Sequence, residues 1–207
     1  MGYLGNQITT VFPTSISVDS ATISGNTTIG GTLGVTGATT LSNQLTDANL
    51  PAGTVVQIQN FSRYNGDGST AYQSNSTTTL AASDILVTIT PKSSSSKMLI
   101  LMSIEGMYNE AVAGNAHKIA LYKSVGGGSF SAVSGLTSGQ FTRHQGYFGD
   151  TQAALLGWSG SWVDSPSTTS EIVYKIYHAR LHSSSGYSRL TANQDDSSRM
   201  QILEIKQ

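Results

Sequence analysis

Between residues 22 and 45 the chain repeats itself every six residues: TISGNT, TIGGTL, GVTGAT, TLSNQL. Ile23, Ile29, Val35 and Leu41 hold the second position, and Gly25, Gly31 and Gly37 hold the fourth, with Asn43 in the last unit. Six is even, so in an extended chain every second-position aliphatic points to the same side. In a helix six residues turn about 600°, and the same positions would wander around the cylinder. Thr and Gly are also poor helix formers. The period therefore specifies extended chain with a turn at each of Gly25, Gly31 and Gly37.

A lone strand of this kind has one aliphatic per six residues and unpaired backbone on both edges. Other copies must supply the hydrogen bonds and the second side of the apolar seam. Three chains wound about a threefold axis satisfy both needs, because a cyclic interface closes. A flexible Gly/Thr/Ser linker is the competing reading, but a linker has no reason to space aliphatics regularly. Fully extended, the four hexads reach at most roughly 80 Å. The expectation is a short trimeric β shaft with Ile23, Ile29, Val35 and Leu41 as its seam.

Charge divides the chain in two. Residues 1–50 contain no Lys or Arg and only Asp19 and Asp47 as acids. All eleven basic residues and the other ten acids lie in 51–207, a local balance of +1. Tyr3 and Phe12 are the only aromatics before Phe61. The first fifty residues cannot build a globular core, whereas the remainder is of ordinary domain size. Thr46 to Gly53 reads as the boundary, punctuated by Pro51 and Gly53. Neither part has a basic patch, so nucleic-acid binding lacks electrostatic support. No apolar run approaches the roughly 18–20 residues of a membrane helix. MGYLGNQITT has neither the basic nor the apolar region of a signal peptide. Cysteine is absent, which excludes disulfides and thiolate metal sites.

Residues 1–17 place Tyr3, Leu4, Ile8, Val11, Phe12 and Ile16 among Gly, Asn, Gln and Thr. That is too few apolar residues for a domain and many for a solvated tail. The segment is expected to be an anchor peptide that docks into another protein, against the default of a frayed terminus. The division is then an anchor at 1–17, shaft and linker at 18–50, and a head at 51–207.

From Thr54 onward short apolar stretches alternate with turn signals, and no segment has a convincing helical period. Val55–Gln59, Ile85–Ile89, Met98–Ile104, Lys118–Tyr122, Gln140–Phe148, Leu155–Trp162, Ile172–Tyr177 and Met200–Ile205 read as strands. Met98–Ile104 is nearly continuous apolar, as for a strand buried on both faces. Asn65-Gly66-Asp67-Gly68, Gly126-Gly127-Gly128 and Ser183-Ser184-Ser185-Gly186 read as turns or loops. Nine or ten strands at these spacings predict an all-β head, a jelly-roll-like β-sandwich.

Catalytic, cofactor and metal signals are weak, and no cofactor or metal is expected. His178 and His182 are four apart, but in a strand that separates them by about 13 Å. His117 and His144, read as loop residues, are open to a metal role only in principle. Asp195 and Asp196 would face opposite ways in a strand and cannot form a glycosidase pair. Glu105 and Glu110 flank an expected strand exit. Gly157-Trp158-Ser159-Gly160-Ser161 lacks the last glycine of a nucleophile elbow. Gly126-Gly127-Gly128-Ser129 lacks the lysine of a phosphate loop. Asn65 to Gly68 lacks the spaced carboxylates of a calcium loop. Tyr64, Tyr72, Tyr108, Tyr147, Tyr187, Trp158 and Trp162 suit sugar or protein recognition if exposed. Trp158 and Trp162 share a strand face and read equally as core.

Three segments of the head, DILVTITPKSSSSKMLILMSIEG (84–106), SWVDSPSTTSEIVYKIYHAR (161–180) and RMQILEIKQ (199–207), carry a resemblance. With the shaft GNTTIGGTLGVTGATTL (25–41) and the opening MGYLGNQ, the chain resembles tail-fibre and related virion structural proteins of marine phages, cyanophages especially. The resemblance implies a homotrimeric fibre or spike on the particle surface. Its head would be similar to tumour-necrosis-factor-like jelly rolls, and no catalytic residues come with it. The expected partners are other copies of the chain, a virion protein bound through 1–17, and a host-surface glycan or protein bound through the head. A capsid decoration or head-fibre protein is the nearest alternative, and a glycan-degrading spike a remoter one.

Overall fold

Alternation along each strand decides which way its side chains point, and two sets of strands turn their apolar sides toward each other. The structure is a computed structural model that describes residues 28, 30–32, 34–37, 50–64, 73–109, 116–136, 139–145, 154–181, 188–190 and 197–207. Two compact units divide at Asn43/Gln44. In the second unit the strands are β1 (Val55–Tyr64), β2 (Gln73–Asn75), β3 (Ala81–Ile89), β4 (Lys97–Asn109), β5 (Ala116–Val125), β6 (Ser131–Ala132), β7 (Gln140–Gln145), β8 (Ala154–Asp164), β9 (Ile172–Arg180), β10 (Ser188–Leu190) and β11 (Ser197–Ile205). No helix occurs among the described residues of this unit apart from one helical position at Gly139.

The strands form two antiparallel sheets. In the first, β4 pairs along one edge with β8 and along the other with β11 and then β10; β1 pairs with β11, and β2 with β10. The second runs β3-β9-β5-β6, with β7 also on β5. This is an all-β sandwich, as the strand spacings predict. β1 and β11, near the two ends of the unit, are direct neighbours from Val55↔Ile205 to Tyr64↔Ser197.

The core is period two made visible. Even-numbered residues of β4 (Met98, Ile100, Met102, Ile104), β9 (Ile172, Tyr174, Ile176) and β11 (Met200, Ile202) are buried. On the second sheet β9 is joined by odd-numbered residues of β3 (Ile85, Val87, Ile89) and β5 (Ile119, Leu121), and together they meet β4 and β11 of the first. Met98–Ile104 corrects the expectation of burial on both faces. Leu99 is half-buried and Leu101 is 36% exposed. A two-layer sandwich covers each sheet on its inner side only, so the odd residues of β4 face outward.

The segments TPKSSSSK and RMQILEIKQ meet in space. Glu204 is fully buried, and its carboxylate accepts hydrogen bonds from the backbone N–H groups of Lys92 (2.8 Å) and Ser93 (3.3 Å) and from Gln57 Nε2. These bonds anchor the β3–β4 turn to β11 and satisfy an otherwise costly buried charge. Trp158 and Trp162 do share a face and pack on the core. Between them Gly160 leaves room for an indole: a Cβ there would lie 2.5 Å from Trp158 Cζ2. Gly160→Ala should therefore lower stability by about 1–3 kcal/mol through overpacking, as read from chemical denaturation. A neutral result would mean that Trp158 can swing aside.

Candidate functional site

The described part of the shaft is residues 28, 30–32 and 34–37, none of them assigned to a strand. The backbone bends at Gly30, Gly31 and Gly37, and Val35 is 54% exposed in the single chain. The other seam residues Ile23, Ile29 and Leu41, the turn residue Gly25, and the anchor residues Tyr3, Leu4, Ile8, Val11 and Phe12 lie outside the described residues. So do His182, Glu110, Asp195, Asp196, Tyr72, Tyr147, Tyr187 and residues 65–68 and 183–186.

Two polar clusters tie the sheets together inside the head. At the first, Asp164 on β8 is 1% exposed. Its Oδ2 accepts from Lys123 Nζ on β5 at 2.6 Å and from Tyr174 OH on β9 at 2.7 Å. Lys123 and Tyr174 are direct register partners, so one carboxylate bridges both strands of the opposite sheet. Burial pushes the Tyr174 phenol upward, and the neighbouring Asp164 carboxylate adds to the shift through its charge and its hydrogen bond. The phenol therefore stays a donor. An uncompensated carboxylate here would be expensive, and the ammonium and the phenol together offset that cost.

The second cluster is built on Ser188 of β10. Its Oγ lies 2.7 Å from His117 Nδ1 on β5 and 3.1 Å from His178 Nδ1 on β9. His117 is fully buried and His178 is 2% exposed. A hydroxyl has one proton to donate, so at least one imidazole carries its proton on Nδ1. Asn75 on β2 completes the tie: its Nδ2 donates to the carbonyls of Thr79 and His178, and its Oδ1 accepts from Thr77. His117 and His144 are not loop residues, which corrects the sequence expectation. They sit directly opposite each other on β5 and β7. A serine 2.7 Å from an imidazole has the spacing of a nucleophile and its base, and Ser188 is 1% exposed. His178 lies within β9, and its sequence companion His182 lies outside the described residues. No group of three or more metal-ligating side chains occurs among the described residues.

Other sequence candidates resolve simply. Glu105 lies within β4, which continues to Asn109, so it does not mark a strand exit. Gly157 to Ser161 lies within β8 and forms no elbow. Gly126 and Gly127 make a turn with φ of 58° and 75°, conformations suited to glycine.

Trp158 and Trp162 serve the core, while Tyr64 and Tyr108 lie on β1 and β4. A partly exposed aromatic ledge stands on the outer side of the second sheet. Tyr122 and Tyr177 stack with ring centres 4.4 Å apart, Phe130 tilts against Tyr177 at 6.1 Å, and Lys175 Nζ lies 5.6 Å over the Phe130 ring. Tyr122 and Tyr177 follow the buried Leu121 and Ile176, and alternation turns them outward. That parity was the available signal for finding them. Burial raises the Tyr177 phenol, and Tyr122 adds to this.

The histidine cluster yields a pH dependence with a definite sign. Burial, reinforced by the charge of His117, lowers His178 from 6.5 to about 4. The unfolded chain therefore binds the proton more readily than the folded one. Stability from this site is fully present above pH 6.5 and is lost as pH falls toward 4, by about 3 kcal/mol at most. Thermal melts between pH 7.5 and 4 should show the decline, and His178→Gln should flatten it. An unchanged slope in that variant would assign the acid sensitivity elsewhere.

No family model matches the chain, and no curated protein matches it. Among solved structures, a chain in the structure of infectious bursal disease virus, Gx strain, is similar over 73% of this chain and 33% of that one. The identity is 11% and the TM-score 0.32, a likeness that carries no functional argument. This chain spans about a third of the length of that viral chain.

Proposed function

We propose that this protein is a structural component of a bacteriophage particle: a short homotrimeric fibre or spike, docked through residues 1–17 and presenting the β-sandwich head outward. The observation that carries this reading is the hexad of residues 22–45, whose Ile23, Ile29, Val35 and Leu41 need other copies to cover them. The resemblance of segments 84–106, 161–180 and 199–207 to marine phage fibre proteins supports the virion assignment. The head is compatible with a role in display and attachment, since its two buried polar clusters serve cohesion. Solution mass should correspond to three chains, and a folded single chain would overturn the fibre. Deleting residues 2–17 should leave that mass unchanged and abolish incorporation into particles. Imaging labelled particles should show a few copies at one vertex, whereas a shell-wide array would make the protein a capsid decoration instead.

Recognition of the host surface is assigned here to the ledge of Tyr122, Tyr177 and Phe130. Stacked phenol faces with polar tips beside a lysine suit a sugar ring or a protein loop. Particles carrying Tyr177→Ala should adsorb to host cells about tenfold more slowly, with the head still folded by circular dichroism. Unchanged adsorption would remove the ledge from attachment.

A further inference from the structure

β2 and β10 are three-residue strands, and their attachment to the first sheet is thin. Along one edge of β4, β11 pairs from Lys97↔Ile205 to Ser103↔Arg199. β10 follows on the same edge with Tyr108↔Arg189 and Asn109↔Ser188 alone. β2 ends the sheet and pairs with β10, from Asn75↔Ser188 to Gln73↔Leu190. A two-stranded ribbon this short is not stable by itself. The second sheet supplies what the ladder lacks. Ser188 Oγ reaches both His117 and His178. Asn75 Nδ2 donates to the His178 carbonyl at 2.8 Å, and Arg180 N donates to the Thr77 carbonyl at 3.0 Å. Ser188 and Leu190 turn inward, and Leu190 is fully buried in the core.

The Ser188 tie requires uncharged imidazoles. Both ring nitrogens lie within 3.1 Å of one oxygen, and both rings are at most 2% exposed. A proton on either ring would place a cation where water does not reach it. The surrounding strands add positive charge rather than negative. Arg180 follows His178 on β9, and Arg189 follows Ser188 on β10. On β7, His144 and Arg143 stand in register with His117 and Lys118 of β5. β2, β5, β7, β9 and β10 contain no Asp or Glu. β3 carries Asp84, and β4 carries Glu105, which is exposed. The influences that act on His178 are burial and the charge of His117.

We infer that the β2–β10 ribbon is an acid-operated latch, closed while His117 and His178 are neutral and lifting off the sandwich when they take up protons. Lifting brings the imidazoles to water and uncovers Leu190, while Lys97–Ser103 of β4 stay paired to β11. The two sheets therefore stay folded while the ribbon opens. Such a local opening breaks few contacts and needs less free energy than global unfolding. The inference rests on the head alone. Its sign is fixed by the proton balance. In the closed latch burial holds His178 near 4, and an open ring returns to 6.5. The open form therefore gains about thirtyfold in population between neutral pH and pH 5 from this one residue.

The chain has no cysteine, so a single introduced thiol reports the opening. In the full-length protein, Leu190→Cys reads the latch, and Ile202→Cys, equally buried on β11, reads global unfolding. A pyridyl disulfide reacts with thiols at acid pH, and rates are normalised to the urea-unfolded protein at each pH. The L190C rate should rise about thirtyfold from pH 7.5 to pH 5 and exceed that of I202C at pH 5 by at least tenfold. Equal rates at the two thiols would make the opening global and overturn the latch. An L190C rate that does not rise with acid would overturn it as well. Adding His178→Gln should make the rise at least fivefold smaller, with circular dichroism confirming the fold; an unchanged rise in the folded variant would remove histidine as the trigger. Should that variant not fold, the comparison of the two thiols decides alone.

Discussion

A β-strand has two faces, and a two-layer sandwich covers only one of them. Almost everything in the head follows from that constraint. It sorts Met98, Ile100, Met102 and Ile104 into the core and leaves Leu99 and Leu101 outside, though all six are apolar. It turns Tyr122 and Tyr177 outward because Leu121 and Ile176 face in. It also explains why β8 tolerates Gly160: the core-facing position between two tryptophans has no space for a side chain.

The core between the sheets is apolar in its middle and polar at selected points. Asp164 with Lys123 and Tyr174, and Ser188 with His117, His178 and Asn75, each join strands from opposite sheets. Apolar contacts alone are non-directional, and sheets held only by them can slide. A buried carboxylate satisfied by two donors on neighbouring strands admits one alignment, since slippage would leave it unpaired. Glu204 has a related role within the first sheet, where it holds the β3–β4 turn to β11.

Much of the fold was readable beforehand. Ile172–Tyr177 and Met200–Ile205 read as strands and are strands, and of the two readings of Trp158 and Trp162 the structure bears out core. The turn signal at Gly126–Gly128 fell where β5 ends. Four readings missed, each because local pattern says nothing about what lies opposite. The run Met98–Ile104 looked doubly buried because its odd positions are also apolar. His117 looked like a loop residue because it precedes the apolar stretch that marks β5, and His144 was read as loop although it lies inside the expected strand Gln140–Phe148. Glu105 looked like an exit because Gly106 follows it, yet β4 absorbs that glycine near a register shift between Ile104 and Met107. The aromatic ledge went unnoticed because its rings come from β5, β9 and the turn before β6, far apart in sequence.

The sequence by itself determined the period of the strands and the two-part division of the chain. These are local properties: residue spacing and charge distribution survive without knowledge of any long-range contact. Only the tertiary structure decided which strands pair, that Ser188 meets His117 and His178, and that Asp164 meets Lys123 and Tyr174. Those outcomes depend on register between segments tens of residues apart, where a shift of one residue reverses every face.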